Sequence, residues 1–166
     1  MMRGLRYFLR NHSGAAAAEM AMILPVALAL IVTTFEGSYY LLCEHRVIKG
    51  VRDAARYAAR LDRSFYTCPG GTFSGSTGTI QNLARTGQLS GGTAQVPGWV
   101  NGDVTVTVTC SALGSTTGGI YNSTGGNAPK VSVSTRLNYP SIMGAMGFTQ
   151  ATIEIGAAAQ SPVIGI

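Results

Sequence analysis

Residues 14–35 read GAAAAEMAMILPVALALIVTTF, and Glu19 is the only charged residue among them. As an α-helix, residues 15–35 extend about 32 Å, which is enough to cross a hydrocarbon core of about 30 Å. A secretory signal peptide has a shorter apolar run that ends at a small-x-small cleavage site. Here the run is longer and is followed by EGSYY, residues 36–40. We therefore predict a membrane-spanning helix.

Glu19 is an unusual residue for such a helix. A carboxylate inside a bilayer costs roughly a few kcal/mol and is by default a candidate functional residue. The alternative is that Glu19 lies near the membrane surface, a turn from Ala15, and is simply solvated. The preceding residues, 1–14, contain three arginines and no acidic residue.

The combination of residues around Gly14 resembles the processing site of type IV pilin-like proteins. In that family a prepilin peptidase cuts after a glycine, and a glutamate occupies the fifth position of the mature chain, as Glu19 would here. Pro25, in ILP, resembles the "LP" of TadE-like proteins, which are minor pseudopilins of the Tad/Flp pilus. The resemblance implies cleavage after Gly14, which would remove residues 1–14 as a basic leader peptide. It also implies a free amine on Ala15, which Glu19 of a neighbouring subunit neutralises.

The helical pattern continues beyond the apolar run. Residues 44–63 place small apolar residues on one face at spacings of three or four: Val47, Val51, Ala54, Ala55, Ala58 and Leu61. Basic residues recur at the same spacings on another face: Arg46, Lys49, Arg52, Arg56, Arg60 and Arg63. They face solvent or bind acidic partners. We predict one helix over 15–63 that spans the membrane to about residue 42, kinks locally at Pro25, and is weakened at Gly50 by about 1 kcal/mol.

The segment VRDAARYAAR, residues 51–60, also resembles TadE-like proteins. The rest of the chain, 64–166, reads as a loop-rich β domain with a short helix within 79–89. Strands are predicted at 103–111, 130–138 and 150–158, where apolar residues alternate with Thr, Ser or Gly. Val104, Val106, Val108 and Cys110 share one face of the first strand, and Ile153 and Ile155 would share one face of the last. The predicted fold class is α+β, with the long helix packed on a small antiparallel sheet in a pilin-like arrangement.

The three cysteines, Cys43, Cys68 and Cys110, include no CxxC pair, so zinc-ribbon and thioredoxin-like sites are not expected. A Cys68–Cys110 bond would tie the sheet to the end of the helix. The chain-entropy model gives about 4 kcal/mol of stabilisation for a loop of that size. Cys43 lies at the membrane boundary, where a helical cysteine is usually a small buried residue. Pairing of Cys43 with either other cysteine, or across subunits, remains open.

No catalytic, metal-binding or cofactor-binding motif is present, so no enzyme is predicted. The net charge of +5 is not gathered into a basic patch with interleaved aromatics, which argues against nucleic-acid binding. Charged residues make up only 11% of the chain, against roughly 25% in a typical soluble domain.

The resemblance implies a structural function, that of a minor pilin or pseudopilin. Its partners would be the prepilin peptidase, other pilin and pseudopilin subunits, the inner-membrane assembly platform and the lipid bilayer. The N-terminus would be cytoplasmic and the C-terminal domain periplasmic or in the pilus at the cell surface. Charge alone leaves orientation ambiguous, because the C-terminal flank is at least as basic as the N-terminal flank. The alternative is an uncleaved single-pass anchor that carries an adhesive domain.

Overall fold

The computed structural model describes residues 13–113, 120–121, 126–148 and 152–165, so the leader predicted over 1–14 lies almost entirely outside it. Two compact units are distinguished, Met1–Tyr39 and Tyr40–Ile166. The helices are α1 (Ser13–Arg60), α2 (Thr77–Thr86) and α3 (Ile142–Ala145). The strands are β1 (Tyr66–Thr67), β2 (Thr72–Phe73), β3 (Val104–Ala112), β4 (Asn127–Asn138) and β5 (Glu154–Pro162). Helix α1 and the antiparallel strands confirm the predicted α+β class.

Helix α1 ends three residues before the predicted position. The backbone N–H of Leu61 bonds to the carbonyl of Ala58 at 3.1 Å, which tightens the last turn. Asp62 then caps a short 3₁₀ turn, since its carboxylate accepts from the N–H of Ser64 at 2.8 Å. Leu61 and Arg63 therefore lie beyond the end of α1, although they were predicted to belong to its apolar face and its basic face.

The first unit contains the N-terminal part of α1, and its large apolar side chains are exposed. They are Met20, Met22, Ile23, Leu24, Val26, Leu28, Leu30, Ile31 and Phe35. A membrane-length window in this helix has a mean hydropathy of 2.2, and none of it is buried. Helix α1 is thus long and apolar enough to cross a membrane, which indicates a membrane anchor.

In the second unit one face of α1 forms part of the core. Its residues are at most 2% exposed and recur at spacings of three or four: Cys43, Val47, Val51, Ala54, Ala55, Ala58 and Ala59. The predicted apolar face is therefore buried, apart from Leu61, which is only half-buried. Because most of these side chains are alanine or valine, neighbouring backbone can approach the helix closely.

The main sheet has three antiparallel strands in the order β3-β4-β5. Val106 faces Val133, which in turn faces Ala159. The valines of β3 and β4 point inward, whereas threonines of β3 and serines of β4 point outward. The alternation predicted for the first two strands is therefore observed, and it leaves one face apolar and the other polar.

Strand β5 differs from the predicted span of 150–158. It begins at Glu154, so Ile153 precedes the strand and is 47% exposed, whereas Ile155 is buried. The prediction that both isoleucines share a strand face was wrong. Pairing with β4 sets the register, since Ile155 faces Leu137 and Pro162 faces Lys130.

Helix α2 overlaps the segment 79–89 that was predicted to hold a short helix, but it begins two residues earlier, at Thr77. Ser76 caps its N-terminus, accepting from the N–H of Thr79 at 3.4 Å. It ends before Leu89 because Gly87, at φ +77°, adopts the left-handed conformation typical of a C-terminal stop. Strands β1 and β2, each of two residues, pair as a hairpin that the sequence analysis did not predict.

Trp99 is the largest fully buried side chain of the second unit and comes from a segment interpreted as loop. Its indole N–H donates to the hydroxyl of Thr135 at 3.0 Å, and that hydroxyl donates to the carbonyl of Asp103 at 2.8 Å. Its ring also lies beside Gly50 of α1. Trp99 therefore joins the loop, the long helix and the sheet in one core.

Candidate processing site and associated features

The residues of the predicted processing site lie in the first turns of α1. The helix begins at Ser13, and the side chains of residues 15–19, including Glu19, are exposed. Among the described residues, nothing lies within 4 Å of a Cβ built on Gly14, so they leave the backbone at the predicted cleavage point sterically open. Glu19 is five residues beyond Gly14, a rise of about 7.5 Å along the helix.

The hydroxyl groups of the apolar helix donate to its own backbone. Thr33 donates to the carbonyl of Ala29 at 2.8 Å, Thr34 to that of Ile31 at 2.7 Å, and Ser38 to that of Thr34 at 2.8 Å. Since a bilayer offers no water to polar groups, such bonds make these residues compatible with hydrocarbon. Glu19 is then the residue whose charge the apolar helix has to accommodate.

Pro25 lies within α1, which continues on both sides of it. Proline has no N–H to donate to the carbonyl four residues earlier, here that of Ala21. Helix-breaking residues are tolerated in membrane helices where neighbouring groups satisfy the released carbonyl. The local kink at Pro25 stays a prediction.

A disulfide joins Cys68 to Cys110, with 5.8 Å between their Cα atoms. Cys68 lies in the turn between β1 and β2, and Cys110 lies on β3. The same turn contains Gly71, at φ +64°, where a Cβ would lie 2.8 Å from the carbonyl oxygen of Val108. The hairpin therefore packs directly on the edge of β3, and the disulfide holds it there.

Cys43 is not part of this bond. It is fully buried on α1, in the second unit. Its position on the apolar face of the helix fits the interpretation as a small buried residue.

The six basic residues predicted to form one stripe have different environments. Arg46 donates to the carbonyl of Gln95 at 2.8 Å. Arg63 donates to the carbonyl of Ile120, and its guanidinium carbon lies 5.5 Å from the centre of the Tyr121 ring. These two arginines hold loops in place. The other four are exposed along α1: Lys49, Arg52, Arg56 and Arg60.

Two ionisable groups near the end of α1 have shifted pKa values. Burial, with a smaller contribution from Tyr57, raises the pKa of Tyr66 to about 12. The Tyr66 hydroxyl donates to the carbonyl of Ala58. Hydrogen bonds from Ser64 lower the pKa of the exposed Asp62 carboxyl.

Within the part of the chain that the structure describes, no group of three or more His, Cys, Asp or Glu could hold a metal ion. His45 is exposed on α1. Ser76 caps the N-terminus of α2.

Comparison with known proteins finds one similarity, which lies in the long helix. Residues 14–56 match the family model described as TadE-like protein. No curated protein and no solved structure matches the chain. The match begins at Gly14 and includes Glu19, Pro25 and the segment VRDAAR, which are the residues on which the resemblance was based. Over residues 14–56 this chain is therefore similar to TadE-like proteins.

Proposed function

We propose that the chain is a minor pilin or pseudopilin of a Tad/Flp-type pilus, that a prepilin peptidase cleaves it after Gly14, and that it acts structurally rather than as an enzyme. One observation carries this proposal. The TadE-like match covers an exposed apolar helix that has an open glycine at its start and Glu19 five residues further on.

Cleavage after Gly14 would leave a free amine on Ala15 at the N-terminus of α1. The first N–H groups of a helix lack intrahelical partners and carry a partial positive charge, to which an ammonium group would add. Glu19 of a neighbouring subunit would compensate this charge when helices pack side by side. Uncleaved, the leader would keep a basic, polar segment at that position instead.

The disulfide supports a periplasmic location for the second unit. Disulfides persist in oxidising compartments such as the bacterial periplasm. With the Cys68–Cys110 bond on that side, α1 crosses the inner membrane with its N-terminus in the cytoplasm. The exposed bases of the C-terminal flank oppose this orientation by charge count alone, and the disulfide and the processing pathway outweigh them.

The partners follow from this arrangement. In the bilayer, α1 would pack beside the helices of other pilin and pseudopilin subunits and meet the inner-membrane assembly platform. The β domain would prime, cap or adjust the fibre in the periplasm, or at the cell surface once in the pilus. The bulk subunits of Flp fibres are usually much shorter than this chain, which favours a minor subunit.

The N-terminus of the mature protein tests the proposal. The full chain is recovered from membranes of cells with and without a co-expressed prepilin peptidase, and its N-terminus is determined by mass spectrometry. We expect a new terminus at Ala15 only when the peptidase is present. Gly14→Val should abolish it, because a β-branched side chain hinders access to the scissile backbone.

A matched control separates recognition from folding. Gly37 lies in the same helix and, like Gly14, has nothing within 4 Å of the position that a Cβ would occupy, so Gly37→Val should still be cleaved. An intact N-terminus with active peptidase would refute processing. The chain would then be better described as an uncleaved single-pass anchor for an adhesive or binding domain.

A further inference from the structure

The connection between β4 and β5, residues 139–153, exposes several large apolar side chains of the second unit. Those of its described residues that are at least 40% exposed are Ile142, Met146, Phe148 and Ile153. No charged residue lies between Arg136 and Glu154 in the sequence. Exposed apolar surface that is gathered in one segment, rather than scattered singly, marks a contact with a protein or with a membrane. We refer to residues 139–153 as the β4–β5 loop.

Two contacts within the second unit fix where this loop lies along α1. The ring of Tyr139, the first residue of the loop, packs edge-on against the ring of Tyr40, with 5.2 Å between their centroids. Beyond the far end of β5, the N–H of Ile164 donates to the carbonyl of Ala59 at 2.9 Å. Ala59 is about 28 Å further along the helix than Tyr40. Strand β5 therefore runs alongside α1, with the loop at the Tyr40 end and Ile164 at the other.

The exposed side chains of α1 change in character just beyond Tyr40. Leu41 and Leu42 are 53% and 45% exposed. From residue 45 to the end of the helix, every exposed side chain is a histidine, a lysine or an arginine: His45, Arg46, Lys49, Arg52, Arg56 and Arg60. Apolar side chains suit hydrocarbon, whereas a row of bases suits water or headgroups. The surface of a bilayer that α1 crosses therefore lies close to Leu42, at the level of Tyr40 and the β4–β5 loop.

We propose that the β4–β5 loop is a second membrane contact of this chain, which inserts its exposed apolar side chains into the surface of the bilayer that α1 crosses. Lipid is the occupant because the loop begins at the height at which α1 leaves the hydrocarbon, so its apolar surface continues that of the anchor. Tyr40 and Tyr139 fit this position, since tyrosines are enriched where a ring meets lipid chains and a hydroxyl meets water. The inference rests on α1 as a membrane anchor and requires neither cleavage after Gly14 nor a pilus.

The backbone of the loop is suited to such surroundings. The N–H of Gly144 donates to the hydroxyl of Ser141 at 3.0 Å, and the N–H of Phe148 donates to the carbonyl of Met143 at 3.1 Å. The three N–H groups between them, of residues 145–147, also donate to carbonyls within the loop. Backbone donors that leave water need such partners, because lipid offers none. The segment that contains Met146 and Phe148 therefore enters apolar surroundings without leaving these N–H groups unsatisfied.

Lipid labelling of the unsubstituted chain tests the proposal. The full chain is reconstituted at low density in vesicles of phosphatidylethanolamine and phosphatidylglycerol that contain a trace of lipid with a photoreactive diazirine in its acyl chain. After illumination and reduction, trypsin and a glutamate-specific protease release residues 137–154 as one peptide and residues 155–166 as the next, because Arg136 and Glu154 are the only cleavage sites there. Mass spectrometry then measures the lipid adducts of each peptide.

We expect adducts in the apolar part of α1, which serves as the positive control, and in the peptide 137–154. They should be several-fold more abundant there than in the peptide 155–166, which contains the exposed Ile164 at the other end of β5. If 137–154 were labelled as rarely as 155–166 while α1 is labelled, the proposal would be overturned. Shielding of the loop that appears only when the density of protein in the membrane is raised would assign it to a contact between chains instead.

Ile153 and Ile164 provide a matched pair of variants, since their side chains are 47% and 48% exposed at opposite ends of β5. A carboxylate opposes insertion into a bilayer. Ile153→Asp should therefore lose most of the adducts of the peptide 137–154, whereas Ile164→Asp should keep them. Both side chains are exposed, so both variants should unfold at the same denaturant concentration as the unsubstituted chain. Equal labelling of the two variants would show that lipid does not cover the loop.

Discussion

Gly50 of α1 lies against the backbone carbonyl of Ala84 at the end of α2, so closely that a Cβ at Gly50 would overlap the carbonyl oxygen. The same Cβ would lie 3.2 Å from the Trp99 ring. Gly50 is fully surrounded on a face made of small residues. This glycine is therefore the point at which α1 and α2 come into direct backbone contact.

The contact reverses what helix propensity predicts for Gly50. Alanine is the better helix former by about 1 kcal/mol, so an uncrowded glycine replaced by alanine gains stability. At Gly50 the added methyl group must displace α2, and overpacking of this kind costs about 1–3 kcal/mol. We expect Gly50→Ala to lower the free energy of unfolding, measured by chemical denaturation in detergent micelles.

Gly78→Ala provides the matched control. Gly78 lies in α2, and no atom lies within 4 Å of the position that its added methyl group would take. This variant should be as stable as the unsubstituted chain or up to about 1 kcal/mol more stable. If Gly50→Ala were stabilised to the same extent, the close contact with Ala84 would be disproved.

The sequence predicts those parts of the fold that depend on local pattern. The apolar run, the small-residue face of α1 and the alternation along β3 and β4 each reflect a short period that one segment contains by itself. The role of Gly50 is not local. It depends on Ala84 and Trp99, more than thirty residues away, and helix propensity by itself gave the opposite interpretation.

Two further differences between the predicted and the observed fold have physical causes. The segment containing Trp99 has no periodicity, so only its fold-dependent contact with Thr135 reveals it as core. Strand β5 continues to Pro162, although proline usually ends a strand. It can do so because the nitrogen of Pro162 points away from β4, toward a side of β5 where no described strand pairs and no ladder bond is required. Of the candidate site, the helix that is similar to TadE-like proteins was recognisable from the residues alone.

The hydrogen bond between Trp99 and Thr135 should contribute measurably to stability. Thr135 is 3% exposed and connects the indole N–H to the carbonyl of Asp103. Thr135→Val keeps the volume of the side chain but leaves the indole N–H of Trp99 and the carbonyl of Asp103 without their partner. Each buried polar group left unsatisfied costs about 1–3 kcal/mol. Thr105→Val on the exposed face of β3 should change the free energy of unfolding by less than about 0.5 kcal/mol. Equal effects in the two variants would contradict the assigned role.

The disulfide should stabilise the second unit by restricting its unfolded state. The bond joins two residues that are 42 positions apart in the sequence, and the chain-entropy model gives about 4 kcal/mol of stabilisation for a loop of that size. We expect the double variant Cys68→Ser/Cys110→Ser to lose about that amount and to become insensitive to reductant. Cys43→Ala should instead retain the effect of reductant, because Cys43 is not part of the bond. A reductant effect that persists in the double variant would show that another pair of cysteines is responsible.

Tyr66 should make the stability of the second unit fall at alkaline pH. Burial raises its pKa to about 12, against about 10 in an unfolded chain. Between pH 10 and 12 the unfolded state therefore releases a proton that the folded state retains, so the free energy of unfolding decreases as the pH rises. Below pH 10 both states are protonated and this contribution is constant. The informative quantity is the difference in free energy of unfolding between the unsubstituted chain and Tyr66→Phe, because it isolates the contribution of Tyr66.

Tyr66→Phe keeps the ring and removes both the ionisable hydroxyl and its bond to the carbonyl of Ala58. At pH 8 the variant should be less stable by about 1 kcal/mol, the usual net value of one hydrogen bond. As the pH rises above 10 the two denaturation curves should converge and then cross, since the unsubstituted chain alone loses the Tyr66 contribution and the rise in the pKa of Tyr66 from about 10 to about 12 is worth more than one hydrogen bond. Absorbance titration of the folded, unsubstituted chain should show one tyrosine that ionises at high pH and is missing from the titration of the variant. Parallel stability curves from pH 8 to 12 would mean that Tyr66 ionises at its ordinary pKa.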